Sequence, residues 1–118
     1  MITIKGVVEQ GRRLGRELGF PTANIAIDPT LGVENGVYES WISIEGHPKP
    51  LRSISNIGSN PTIGKTARRM ETHIIGESLN LYGEVVTITL GRKLRSEMKF
   101  NSLEELKAQI KKDLKSLL

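Results

Sequence analysis

Glu84-Val85-Val86-Thr87-Ile88-Thr89-Leu90 sets how the rest of the chain is read. Val86, Ile88 and Leu90 fall on one face and Thr87 and Thr89 on the other, the period-two alternation of a half-buried β-strand. Working outward, Tyr38 to Ile44 and Ile2 to Val8 are further β-rich runs, and Ile54 to Ile57 and Met70 to Ile75 are shorter ones. Turn signals separate the runs at Asp28-Pro29, Glu34-Asn35-Gly36, Glu45-Gly46, Ser59-Asn60-Pro61 and Tyr82-Gly83. About five or six short strands without intervening helices predict a mainly β fold, an antiparallel barrel or a sandwich.

The chain changes character near its end. Ser102 and Glu105 have the Ser-x-x-Glu spacing of a capping box, which satisfies two orphan amide donors. Leu103, Leu106, Ile110, Leu114 and Leu117 then recur at spacings of three and four, a single apolar stripe. Lys111, Lys112 and Lys115 lie toward the C-terminal end, where the helix dipole favours positive charge. These features predict a helix over residues 102–117, covering one end or one face of a barrel built from residues 1–100. The 118 residues are expected to form one domain.

Composition narrows the function classes. Apolar residues make up 37% and charged residues 25%, a globular balance. The absence of cysteine excludes a disulfide framework, thiolate metal sites and a thiol nucleophile. One Trp, two Tyr and two Phe are too few for a broad stacking platform for single-stranded nucleic acid. No apolar run approaches the ~18 residues of a membrane span and no signal-peptide pattern opens the chain, so a cytoplasmic location is expected. The formal charge of +4 fits either a solvated lysine-rich surface or attraction to an anion.

Two familiar patterns fail on inspection. Gly64-Lys65-Thr66 resembles the end of a phosphate-binding loop, but Ser59 stands where that loop needs glycine, and Pro61 interrupts it. His47 and His73 are far apart and lack metal-ligand spacing.

The densest stretch is Gly6 to Asn24. Gly6, Gly11, Gly15 and Gly19 are interleaved with Arg12, Arg13 and Arg16. Glycines let backbone amides approach phosphate oxygens, and the arginines could neutralise the phosphate charge. A glycine-rich hairpin with solvent-facing arginines accounts for the same residues. Pro21-Thr22-Ala23-Asn24 follows, with a hydroxyl and a side-chain carbonyl two residues apart, able to point the same way in an extended segment. Such hard oxygen donors suit Mg²⁺, although a loop cap has the same composition.

Taken together, these residues resemble the riboflavin kinase family. Gly-Arg-x-Leu-Gly-Phe-Pro-Thr-Ala-Asn stands at Gly15 to Asn24 and Gly-Val-Tyr at Gly36 to Tyr38. Asn-Ile-Gly-x-x-Pro-Thr stands at Asn56 to Thr62, Glu-x-His at Glu71 to His73, and Leu-Tyr-Gly at Leu81 to Gly83. Leu-Arg-x-Glu-x-Lys-Phe occupies Leu94 to Phe100, and Gln-Ile-x-x-Asp occupies Gln109 to Asp113. The order is right and the match covers nearly the whole chain. Gly76-Glu77 stands where bacterial members commonly carry Asp-Phe, and Met70 to Ile74 is worded more like the eukaryotic members.

The resemblance implies a six-stranded antiparallel Greek-key barrel with a C-terminal α-helix, and transfer of the ATP γ-phosphate to the riboflavin 5′-hydroxyl to give FMN and ADP. It implies that Thr22 and Asn24 hold Mg²⁺ and the ATP phosphates, and that Gly11, Gly15 and Arg16 wrap the nucleotide. It makes Glu71 the catalytic base and puts Arg95, Glu97 and Phe100 on the flavin side. Read alone, a strand glutamate such as Glu71 is more often an exposed surface charge. Family members often carry a second half that adenylates the product, so an adenylyltransferase making FAD, fused or separate, is an expected partner; nothing in these residues resembles that half. No nucleic-acid or membrane partner is expected. The alternative is a non-catalytic small barrel that binds a nucleotide, a flavin or a nucleic-acid strand.

Overall fold

The computed structural model describes residues 2–9, 22–28, 30–60, 67–76, 79–96 and 102–116. Among these, six strands form one antiparallel sheet: β1 (Ile2–Val7), β2 (Ala23–Ile27), β3 (Gly36–Ile44), β4 (Leu51–Asn60), β5 (Ala67–Ile74) and β6 (Val85–Arg95). The spatial order is β1-β6-β3-β4-β5-β2. Strands β3, β4 and β5 follow one another as a meander, while β6 returns to lie beside β3, the Greek-key relation. The two outer strands meet through a bridge between Glu9 and Asn24, where the Glu9 amide donates to the Asn24 carbonyl at 2.7 Å. The result is a nearly closed barrel, which leaves little unpaired strand edge.

The alternation in β6 is the one its sequence predicts. Val86, Ile88 and Leu90 are buried inside the barrel, and Thr87 and Thr89 are only partly covered. They pack with Ile4, Ile25, Ile42, Ile57 and Met70 in one core. Four hydroxyls share this interior. Ser40 lies 2.7 Å from Ser53 and 2.8 Å from Ser55, and Ser55 lies 2.7 Å from Thr72. All four side chains are buried, and each satisfies its neighbour, so the polarity costs little.

β2 and β4 depart from the sequence expectation, and β5 and β6 run beyond it, the one starting at Ala67 and the other ending at Arg95. β2 is absent from the β-rich runs because, of its five residues, Asn24 and Ala26 dilute the signal. β4 is longer than Ile54 to Ile57, since its inward positions Ser53 and Ser55 read as turn-like by composition. It also runs through the turn expected at Ser59-Asn60. Beyond β2, Asp28 accepts hydrogen bonds from the Thr30 hydroxyl and amide at 2.7 and 2.9 Å, which hold its carboxyl below the usual range. Arg68 then secures the loop ahead of β3, donating to the Leu31 and Val33 carbonyls and to Asn35 Oδ1.

Gly36 opens β3 where only glycine fits. Its φ is +155°, and a Cβ there would sit 2.8 Å from the Arg95 carbonyl oxygen. That backbone cannot give way, which is the physical content of the Gly-Val-Tyr match.

Helix α1 (Leu103–Lys115) begins as expected, with the Ser102 side chain accepting from the Glu105 amide at 3.2 Å. It covers a face of the barrel: Leu114 packs with Val37, Ile54, Ile75 and Leu94 in a second apolar cluster. Among the described residues no helix is long and apolar enough to cross a membrane.

Candidate active site

The sheet register brings the separated motifs into one line. Asn24 on β2 stands opposite Glu71 on β5, and Glu71 stands opposite Asn56 on β4. Asn56 is opposite Val37 on β3, and Val37 is opposite Arg95 on β6. The closing bridge adds Glu9 at the other end. The row therefore runs Glu9, Asn24, Glu71, Asn56, Val37, Arg95 around the barrel.

The row lies on the outer surface. Its neighbours Ile25, Met70 and Ile57 fill the core, and successive strand residues point to opposite faces. Directly opposed side chains on one face stand within about 4.5–5.5 Å at Cβ, close enough to act on one ligand. Val37 is covered by α1, which leaves Glu9 to Asn56 as the part of the row beside the helix. Glu9 and Asn56 are exposed and Glu71 is half-buried.

Asn24 is the unusual member. It faces outward yet is only 4% exposed. Its Nδ2 donates to the Thr22 carbonyl at 3.4 Å, which identifies Oδ1 as the outstanding acceptor. Among the described residues that Oδ1 is buried with no hydrogen-bond partner. A buried acceptor without a donor costs on the order of 1–3 kcal/mol, and here it sits in register with a carboxylate and two residues from the Thr22 hydroxyl. Neutral hard oxygens of this kind fit a divalent cation that keeps most of its ligands for water and phosphate. Among the described residues, no three His, Asp or Glu side chains converge to hold a metal ion.

At the opposite end, Arg95 is engaged by the helix. Its Nε lies 3.0 and 3.1 Å from the two carboxylate oxygens of Asp113, and its Nη2 donates to Asp113 Oδ2 at 2.9 Å. Its Nη1 donates to the Ser96 carbonyl at 3.1 Å. Gln109 Nε2 donates to the same carboxylate at 2.9 Å. Asp113 is 7% exposed, so the pair is a largely desolvated clamp between β6 and α1. Nearby, Lys93 donates to Glu34 at 2.8 Å; that contact lowers the Glu34 carboxyl below its ordinary range and raises the Lys93 ammonium above its own.

Of the residues expected at the site, Asn24 and Glu71 are brought into direct register, Thr22 immediately precedes β2, and Arg95 stands at the far end of the same row. Gly11, Gly15, Arg16, Glu97 and Phe100 lie outside the described residues. Sequence reasoning gave no role to Glu9, Asn56 or Asp113. Asn56 and Asp113 each had a signal, as the first residue of Asn56-Ile-Gly-x-x-Pro-Thr and the last of Gln109-Ile-x-x-Asp113, but the Asp113 partner Arg95 is 18 residues away and no spacing rule links the two.

A family model for riboflavin kinase (flavokinase) matches residues 1–118. The bifunctional riboflavin kinase/FMN adenylyltransferase of Escherichia coli K12 is 40% identical over 110 residues, covering 93% of this chain and 35% of the relative. The RNA-binding riboflavin kinase RibR of Bacillus subtilis is 40% identical over 116 residues, covering 97% of this chain and 49% of the relative. The chain thus spans between a third and a half of the length of these curated relatives. Among solved structures, riboflavin kinase from Trypanosoma brucei aligns with a TM-score of 0.66 at 29% identity, covering 96% of this chain and 74% of that one. A Streptococcus pneumoniae chain described as a macrolide-efflux protein aligns with a TM-score of 0.84 at 31% identity, covering 96% of this chain and 37% of that one. The barrel order, the motif row and the match along its whole length agree: the chain belongs to the riboflavin kinase family.

Proposed function

We propose that this chain is a riboflavin kinase unit that transfers the γ-phosphoryl group of ATP to the 5′-hydroxyl of riboflavin, giving FMN and ADP. The observation that carries the reading is the register pair Asn24–Glu71, a carboxylate beside a buried, unpartnered acceptor oxygen. Phosphoryl transfer asks for little more than positioning, charge stabilisation and a group to take the hydroxyl proton. Glu71 accepts that proton, and its place within β5 fixes it better than a loop would.

Thr22 and Asn24 would hold the metal, with Mg²⁺ the ion that suits neutral oxygen donors, and when bound it neutralises charge on the phosphates. Gly11, Gly15 and Arg16 wrap the nucleotide. Glu97 and Phe100 line the flavin, and Arg95 serves that side by fixing α1 beside it through Asp113. The product FMN is the substrate named for the adenylyltransferase half of the matched relatives, so an enzyme of that kind, fused or separate, is the natural consumer. Free ATP and riboflavin as substrates are in keeping with a cytoplasmic location.

The test is to incubate the protein with riboflavin and ATP in the presence of Mg²⁺ and to separate the flavins by chromatography. FMN is the expected product. Tight riboflavin binding with no FMN formed overturns the reading in favour of a non-catalytic flavin-binding barrel.

A further inference from the structure

Arg68 and Arg69 are adjacent on β5 and are used very differently. Arg68 is occupied by the loop ahead of β3, with donors to Leu31, Val33 and Asn35. Arg69 points to the outer face, as Glu71 does, because Met70 between them is fully buried in the core. Two residues along a strand place Arg69 about 7 Å from Glu71 at Cα.

The surroundings of Arg69 leave its guanidinium room. It stands opposite Ala26 on β2 and Gly58 on β4, a methyl group and no side chain at all. Its Nη1 reaches across β2 to Glu9 Oε2 at 3.3 Å. Glu9 is the residue bridged to Asn24. The Arg69–Glu9 pair thus runs past the same strand that carries the unpartnered Asn24 Oδ1, on the same face. Among the described residues it is a long, single-contact pair, and its side chains are 38% and 48% exposed. Exposed pairs of this kind contribute little to folding and exchange readily for a better partner. A phosphate is that better partner, because it offers a guanidinium two parallel charge-assisted hydrogen bonds.

We infer that Arg69 binds the phosphate chain of the nucleoside triphosphate, with Glu9 as the counter-ion that holds the guanidinium beside Asn24 until the nucleotide arrives. The inference rests on the kinase reading of the same site and adds a cation that the family motifs do not include. It also assigns opposite signs to the two members of one ion pair. Removing Arg69 removes a phosphate contact, whereas removing the Glu9 charge releases Arg69 and takes an anion away from an anionic ligand. A pair serving only the fold would make both losses equivalent.

The experiment compares Arg69→Ala, Arg69→Lys and Glu9→Gln with the parent chain. Calorimetry reads MgATP binding without riboflavin; steady-state kinetics reads KM for each substrate; thermal melting reads the fold. Arg69→Ala is expected to weaken MgATP binding by about tenfold or more, the usual effect of one hydrogen bond to a charged group. Riboflavin KM and the melting temperature should stay at their parent values. Arg69→Lys should recover part of the affinity as a point charge without the bidentate fork. Glu9→Gln should leave MgATP affinity unchanged or tighten it. Parent-like MgATP affinity in Arg69→Ala, or equal weakening in Arg69→Ala and Glu9→Gln, overturns the inference. A parent chain that binds MgATP but forms no FMN refutes the kinase reading alone, since the calorimetric comparison still stands. A parent chain that binds no MgATP refutes both.

Discussion

Asn24 and Asp113 are both buried polar side chains on the outside of the same barrel, and the chain treats them in opposite ways. Asp113 receives donors from Arg95 and Gln109, so its carboxylate is fully engaged. Asn24 keeps an acceptor oxygen with no donor among the described residues. The first arrangement holds a helix on a sheet. The second leaves an interaction unmade in the folded chain, as expected where a ligand completes it. The contrast separates the two ends of the row, and we assign the Arg95 end to stability and the Asn24–Glu71 end to chemistry.

The largest effect is expected at the chemical end. Glu71→Gln keeps size and hydrogen-bonding shape but cannot accept the hydroxyl proton. It should slow phosphoryl transfer by roughly 10²–10⁴-fold while both substrates still bind. The lower part of that range is favoured because positioning carries much of the catalysis. Single-turnover kinetics at saturating MgATP and riboflavin, beside binding measurements on the same preparation, decides it. Turnover within about twofold of the parent would remove Glu71 as the base.

At the structural end, Asp113→Ala should take the buried carboxylate away from the half-buried Arg95 and cost about 3 kcal/mol of stability. Chemical denaturation reads this, and an Asp113→Leu, Arg95→Met double variant should regain most of the loss by packing α1 with apolar groups. A parent-like Asp113→Ala would mean that the pair does not clamp the helix. A smaller change is expected from Ser102→Ala, which removes the acceptor for the Glu105 amide and should cost about 1 kcal/mol. Substrate KM values unchanged in Ser102→Ala would keep the start of α1 on the structural side of the division.

Much of this architecture is legible in the sequence, and the exceptions have physical causes. The β6 alternation and the Ser102 cap are local patterns, so they can be read directly. β2 escapes because it is short and carries Asn24 and Ala26, poor β-formers, at its second and fourth positions. The inward serines of β4 hide it for a similar reason, since their hydroxyls are satisfied only by Ser40 and Thr72 on neighbouring strands. The same limit applies to the site. Glu71, Thr22 and Asn24 are singled out by their motifs as candidates, but the row that aligns Glu9, Asn24, Glu71 and Asn56 exists only in the register of β2, β5 and β4. The Arg95–Asp113 clamp is likewise a property of α1 docking.

Asn24→Ala separates the two ends most directly, because it removes a buried polar group whose side chain makes no strong contact among the described residues. Thermal melting and MgATP titration should be run on the same preparation. Deleting an unsatisfied acceptor is close to neutral for folding, so the melting temperature should stay within about 3 °C of the parent or rise. MgATP affinity should fall by roughly tenfold, with riboflavin binding unchanged. A melting temperature lowered well beyond that margin, together with parent-like MgATP affinity, would contradict the assignment of Asn24 to the phosphoryl-transfer site and make it a structural residue like Asp113.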